Sequence, residues 1–158
     1  MVMEDLPRTV CHLDVWPNNV IRDAGGDIVF LDWAFVGDGA LGEDIGNLVL
    51  DSVYDLLLHH DLLDELDARL TSAYLQGLRE PGWNGNARLV RLGICASAVK
   101  YDWLTAFCLE HARADEHLDY GRRAGVDAAE RYAARAAGLA LCARWAQEAD
   151  ELAGTLGR

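Results

Sequence analysis

Apolar and polar positions alternate quickly at the start of the chain and slowly after it. The runs "VIR" (20–22) and "IVFL" (28–31) are short and β-prone, and "DAGGD" between them is turn chemistry. This pattern predicts a hairpin with strands near 20–22 and 28–31. Because "IVFL" is apolar at every position, its strand is expected to be covered on both faces. Past the Gly- and Asp-rich "AFVGDGALGED" the spacing turns helical. Ile45, Leu48, Val49, Ser52, Val53, Leu56 and Leu57 fall on one 3.6-residue stripe, with Glu43 and Asp44 at the N-terminal end, where negative charge is favoured. Leu63, Leu66, Leu70, Tyr74 and Leu78 predict a second helix, stopped by "EPGWNGN". A third is expected from about Ala87 to His111, with Leu89, Leu92, Ala96, Val99, Trp103, Phe107 and Cys108 on or near one face. From Val126 onward the chain is Ala-rich and free of proline, with Gly138 as a candidate kink. The expected fold is mainly α with a small β-hairpin. That is too little sheet to form its own core, so the hairpin must pack on helices. No repeat or linker divides residues 1–158, which read as a single domain: a segment 11–46 carrying the hairpin and a helical part, 47–158.

Composition narrows the function more than the fold. The chain has 158 residues, enough for one domain with a real core. Asp and Glu number 26 against 14 Lys and Arg, for a net charge of −12. That sign argues against a nucleic-acid or anionic-membrane partner; it suits a cationic ligand, and also plain solubility. The only lysine is Lys100. Cys11, Cys95, Cys108 and Cys142 form no C-x-x-C pair, and the last three read as small buried hydrophobes rather than a zinc site or disulfide framework. Glu4, Asp5, Arg8, His12 and Asp14 interrupt the first twenty residues, so no signal-peptide core is present. No apolar run approaches the ~18 residues of a membrane span, and a reduced, cytoplasmic protein is expected. His59, His60, His111 and His117 show no metal-ligand spacing with a third partner. The acidic clusters "DLLDELD" and "RADEHLD" read as solvated helix faces. Trp33 and Trp103 read as core residues and Trp16 as a more open one.

The chemistry concentrates in "CHLDVWPNNV" (11–20). Antiparallel pairing sets neighbouring strands ~4.8 Å apart, so Asn19 and Asp32 become neighbours at the hairpin's open end. An amide oxygen and a carboxylate converging there are hard donors suited to Mg²⁺. Asp14 stands five residues before Asn19, on a loop stiffened by Pro17, which also pushes Trp16 toward extended geometry. Taken singly, each residue has a plainer role: His12 in packing, Asp14 and Asn18 or Asn19 in a turn, Asp32 as a strand end, Asp44 as a helix N-terminal acid.

His12-Leu13-Asp14-Val15-Trp16-Pro17-Asn18-Asn19 resembles the H-x-D-x-x-x-x-N catalytic loop of the aminoglycoside phosphotransferase family, which has choline, fructosamine and homoserine kinase relatives. Leu31-Asp32-Trp33 resembles that family's I-D-W segment, and Gly37 to Gly46 its G-x-x-x-x-D-[LI]-[AG] stretch. Lys100-Tyr101-Asp102-Trp103-Leu104 is a looser match of the same kind. The resemblance implies the C-terminal lobe of the protein-kinase-like fold, with ATP as co-substrate and Mg²⁺ as cofactor. It implies Asp14 as catalytic base, His12 as a brace of the catalytic loop, Asn19 and Asp32 as metal ligands, and Asp44 as a structural tie from the loop to the first long helix. Trp16 is a candidate for substrate contact.

Two departures accompany the match. Leu13 stands where the family usually has glycine. Only eleven residues precede His12, and Lys100 lies in a helical context, so the nucleotide-covering N-terminal lobe and its strand lysine are missing from the pattern. The expectation is a truncated C-terminal lobe, weak in nucleotide binding and in turnover by itself. Its activity would be transfer of the ATP γ-phosphoryl group to a hydroxyl of a small, cationic molecule. An aminoglycoside, and hence antibiotic resistance, is the family's first suggestion. The expected partners are that substrate and either a missing N-lobe or a second copy. The alternative is a non-catalytic Mg²⁺- or small-molecule-binding, or oligomerisation, module derived from such a lobe.

Overall fold

The structure, a computed structural model, describes residues 3–111 and 127–156. Four strands come first: β1 (Arg8–Cys11), β2 (Val20–Arg22), β3 (Ile28–Phe30) and β4 (Gly37–Ala40). Helices follow: α1 (Glu43–Tyr54), α2 (Leu63–Arg79), α3 (Ala87–Ala96), α4 (Asp102–His111) and α5 (Ala128–Leu156). The fold is therefore mainly helical, with its strands confined to the first forty residues.

The expected hairpin is present. β2 and β3 pair antiparallel with Val20 opposite Phe30 and Arg22 opposite Ile28. Its turn is made by one side chain: Asp23 Oδ1 accepts the N–H groups of Gly25 (2.8 Å) and Asp27 (2.9 Å). Short aspartates make this local loop readily. The covering of "IVFL" on both faces does not hold. Ile28, Phe30 and Leu31 are exposed and Val29 is half-buried, because the two-stranded ribbon lies at the surface instead of between layers. A second ribbon was not foreseen. β1 pairs antiparallel with β4, Arg8 opposite Ala40 through Cys11 opposite Gly37. It returns the chain to the base of the polar loop just before α1 begins.

α1 ends at Tyr54, so Leu56 and Leu57 of the predicted stripe lie beyond the helix. Leu56 turns to φ 57, and the N–H groups of Leu57 and Leu58 both come back to Ser52 O. α2 follows its predicted stripe and stops before Pro81. The third predicted helix is two. α3 gives way at Ser97 to a 3₁₀ stretch, Ser97–Tyr101, and α4 resumes at Asp102. Ser97 Oγ donates to Ile94 O at 2.7 Å and packs against Gly46 of α1; such back-bonding competes with regular helix. The break shifts the phase of the stripe, leaving Val99 and Trp103 exposed.

The core is made where α1, α3 and α5 meet. Val49, Leu50 and Val53, Val90, Ile94 and Cys95, and Leu141 and Trp145 are buried there. α5 runs unbroken through Gly138, so that residue marks no kink. It is a close-approach site: a Cβ there would lie 2.9 Å from the Tyr54 hydroxyl oxygen and inside contact distance of its ring. The start of the last helix at Val126, His117 and the "RADEHLD" cluster lie outside the described residues. In the other acidic cluster Asp67 is buried, not solvated. Arg91 holds it with two bonds (2.6 and 3.0 Å) and Trp145 Nε1 donates to it at 3.0 Å. Arg91 also grips Glu148 of α5 (2.8 and 2.7 Å), which lowers that carboxyl's pKa.

All four cysteines are free, with Cys11 and Cys95 buried; burial pushes the Cys11 thiol up to about 12, far from a reactive thiolate. By length and average composition alone Ala87–His111 is apolar enough to cross a membrane, although Lys100 and Asp102 interrupt its apolar residues. In the fold it is interrupted by the 3₁₀ stretch, and its α3 portion faces the core.

Candidate functional site

β1 delivers the chain into the polar loop, and the start of α1 receives it. The Asp44 carboxylate accepts the backbone N–H groups of His12 (2.9 Å) and Leu13 (2.7 Å). These two charge-assisted bonds shape the loop so that Leu13 takes φ 64. The position where the family pattern has glycine does need a left-handed backbone, and leucine occupies it under strain. Its side chain lies over Gly37, where a Cβ would meet Leu13 Cδ1 at 3.1 Å.

His12 is only 3% exposed. Its Nε2 lies 2.7 Å from Leu31 O and its ring packs on Trp33 with centroids 4.6 Å apart. Nε2 must carry the proton in order to donate to that carbonyl. Nδ1 is buried with no hydrogen-bond partner. His12 therefore joins the loop to the end of β3.

Pro17 opens a short 3₁₀ turn, and Trp16 before it is extended at φ −135, ψ 162, the geometry that proline imposes on its predecessor. The turn buries Asn19 and aims its amide back along the loop. Nδ2 donates to both the carbonyl and the carboxylate of Asp14, each at 3.0 Å. Asn19 O accepts from Leu31 N at 2.8 Å, extending the hairpin ladder by one rung. Asp32 is the next residue, exposed and left-handed at φ 57, a conformation aspartate tolerates better than most. Asp14, Asn19 and Asp32 are thus gathered at one end of the hairpin. Among the described residues no hydrogen bond engages Asn19 Oδ1 or the Asp32 carboxylate. Two uncommitted hard oxygen donors fit Mg²⁺.

A cavity of about 350 Å³ opens beside Asp14. Trp16 lines it from the loop, Asp51 and Tyr54 from α1, Tyr101 from the 3₁₀ stretch, and Trp103 and Phe107 from α4. Trp103 and Trp33 are not core residues: they are 51% and 49% exposed. Trp103 forms a cavity wall, and Trp33 covers His12 with its indole N–H on Phe30 O at 3.0 Å. Asp51, Tyr54 and Phe107 received no site role from the sequence. Asp51 lies off the apolar stripe of α1, so the helical period carries no signal for it. The Tyr101 hydroxyl donates to Asp51 Oδ1 at 2.8 Å. Burial pushes the Asp51 carboxyl up to about 7; the Tyr101 bond opposes this, and the negative charges of Asp55 and Asp14 add to it.

Lys100 lies 3.0 Å from Glu43 and donates to Asn47 at 3.3 Å, tying the 3₁₀ stretch to α1. His59 and His60, left without a third partner by their spacing, have one in Asp61. The ligand atoms of the three lie within 4.8 Å of one another on an exposed turn.

The family model of the phosphotransferase enzyme family (APH) matches residues 1–85, more than half of the chain. No curated protein and no solved structure matches. The matched stretch holds the loop, both ribbons, α1 and α2. The cavity walls from Tyr101, Trp103 and Phe107 lie beyond it.

Proposed function

The chain belongs to the phosphotransferase enzyme family, and on that premise we propose that it transfers the γ-phosphoryl group of ATP to a hydroxyl of a small, cationic molecule. The observation that carries this reading is the Asp14 carboxylate, held by Asn19 at the edge of a cavity large enough for a small substrate. A hydroxyl placed there would give its proton to Asp14 as its oxygen bonds to the γ-phosphorus and the bond to the departing ADP breaks. Asn19 Oδ1 and Asp32 would hold Mg²⁺, which supplies neutralisation of the phosphate charge. Asp44 and His12 would act on the loop, not on the substrate, keeping Asp14 in place.

A second reading, a module that binds without catalysing, is favoured by one observation. Lys100, the one lysine of the sequence, is engaged with Glu43 and Asn47 and is not offered to a phosphate. Phosphoryl transfer from labelled ATP, measured on the full-length product of the gene that encodes this chain, separates the two. Catalysis predicts that Asp14→Asn lowers turnover about 10²–10⁴-fold while Mg²⁺·ATP binding persists, and that Asp32→Ala loses the Mg²⁺ dependence. Wild-type turnover in Asp14→Asn would remove Asp14 from the base role. Absence of turnover with any hydroxylated amine, together with retained binding, would establish the module.

A further inference from the structure

The connection between α1 and α2 carries chemistry that phosphoryl transfer does not use. α1 ends at Tyr54, and the chain is extended at His59 (φ −68, ψ 140) before a short 3₁₀ turn, His60–Leu62. Consecutive side chains point to opposite faces of a strand and diverge widely on a helix. The bend between His59 and His60 brings their rings together instead, stacked with centroids 4.3 Å apart and planes at 29°. Asp61 completes the group: its Oδ2 lies 3.3 Å from His59 Nδ1 and its Oδ1 lies 3.6 Å from His60 Nε2. Donor atoms that share one ion at ~2.1 Å stand roughly 3–4 Å apart, so these spacings need little adjustment. His59 Nδ1 also has two neighbours at 3.3 Å with opposite demands. The Asp61 N–H donates to it, while Asp61 Oδ2 can only accept from it. One ring nitrogen cannot serve both. A cation between Nδ1 and Oδ2 satisfies those two atoms, and the long bond from Asp61 N–H, on an exposed turn, is readily exchanged for water. Both histidines line a recess of about 110 Å³ against α5, where Glu130 adds a further carboxylate. The recess has room for water at the remaining positions of an ion.

We propose that His59, His60 and Asp61 bind a divalent first-row transition ion of the Zn²⁺ class. Two imidazole nitrogens and one carboxylate select Zn²⁺, Ni²⁺ or Cu²⁺, whereas Mg²⁺ and Ca²⁺ take oxygen ligands. The site therefore differs in chemistry from the oxygen pair of Asn19 and Asp32. Its recess shares no lining residue with the cavity beside Asp14. A bound ion holds the connection between α1 and α2 in one arrangement and stabilises the folded chain, because the three ligands are assembled only by the fold of this turn. The site stands whether or not the chain transfers phosphate.

Isothermal titration of the full chain with ZnCl₂ tests this, on protein without an affinity tag and stripped by a chelator. One Zn²⁺ per chain is expected, and a large excess of Mg²⁺ should not displace it. His60→Ala and Asp61→Asn should each weaken binding at least about tenfold, since even a lost outer-shell partner costs about 10–100-fold. Asp61 is exposed, so its variant removes a ligand without risk to folding. Asp32→Ala should keep the full Zn²⁺ affinity, which separates this site from the proposed Mg²⁺ ligands. Co²⁺ in place of Zn²⁺ should give the visible absorption of a low-coordinate, nitrogen-ligated ion, and His60→Ala should remove it. Zn²⁺ at a hundred times its Kd should raise the melting temperature by about 5–10 °C. Ions held by thiols of the unfolded chain would lower it instead. Undetectable Zn²⁺ binding, displacement by Mg²⁺, wild-type affinity in both His60→Ala and Asp61→Asn, loss of Zn²⁺ in Asp32→Ala, or a lowered melting temperature would each overturn the proposal. Because no nucleotide is present, a failure of phosphoryl transfer leaves a positive result standing.

Discussion

Two substitutions at Leu13, one to glycine and one to alanine, separate backbone strain from side-chain packing in the loop that carries Asp14. Leu13 stands at φ 64, where an L residue sets its Cβ against the following carbonyl at about 1–2 kcal/mol. Both variants lose the same atoms beyond Cβ, including the Cδ1 that covers Gly37. Removing a half-buried leucine side chain costs roughly 1–1.5 kcal/mol. Alanine suffers that loss and keeps the strain. Glycine suffers it and is relieved of the strain, but its freer unfolded chain takes back about 0.4–1 kcal/mol. Glycine should therefore be the more stable of the pair by roughly 0.5–1 kcal/mol, the reverse of their order where φ is negative. Urea denaturation of the two variants at matched m-value measures the difference directly. Calorimetry should show glycine melting about 2–4 °C higher per kcal/mol for a chain of this size. An alanine variant as stable as the glycine one would mean that the loop abandons its left-handed turn once the leucine is gone. The account of Asp44 as the residue that imposes that turn would then fail.

Asp44→Ala strips the acceptor from two backbone N–H groups and should destabilise the fold by about 3 kcal/mol, given ~1.5–3 kcal/mol for a hydrogen bond to a charged group; a loss below 1 kcal/mol in chemical denaturation would show that water replaces it. Arg91→Ala leaves Asp67 and Glu148 facing each other without their shared cation. It should cost about 3–5 kcal/mol, and a loss under 1 kcal/mol would reduce the network to a surface ion pair. Gly138→Ala drives a methyl into the Tyr54 ring at about 1–3 kcal/mol. Most of that penalty should vanish in a Tyr54→Val background, and a double-mutant cycle with no coupling would locate the clash elsewhere.

What could be read along the chain was whatever neighbouring residues settle among themselves. The hairpin was legible because Asp23 closes its own turn within four residues and its strands pair across that turn. The juxtaposition of Asn19 with Asp32 followed from the same local register. The stripe of α2 was legible because a 3.6-residue period reports the burial of one face. Elsewhere the deciding contacts lie far apart in sequence. "GDGA" has no strand preference of its own, and it becomes β4 only because β1 returns to pair with it. The exposure of "IVFL" depends on which layers cover the ribbon, which its composition does not encode. The break at Ser97 depends on α1 crossing at Gly46, and that break turns Trp103 out of the core and into the cavity wall. Asp51 and Tyr101 meet across fifty positions of sequence, and Asp67 becomes a buried ion only where α3 and α5 bring Arg91 and Trp145 to it. Turn chemistry and strand register act over a few residues, and they set the loop, the order of Asp14, Asn19 and Asp32, and the ribbon that joins them. The cavity, its aromatic walls and the burial of Asp51 come from long-range pairing, which exists only once the helices have packed.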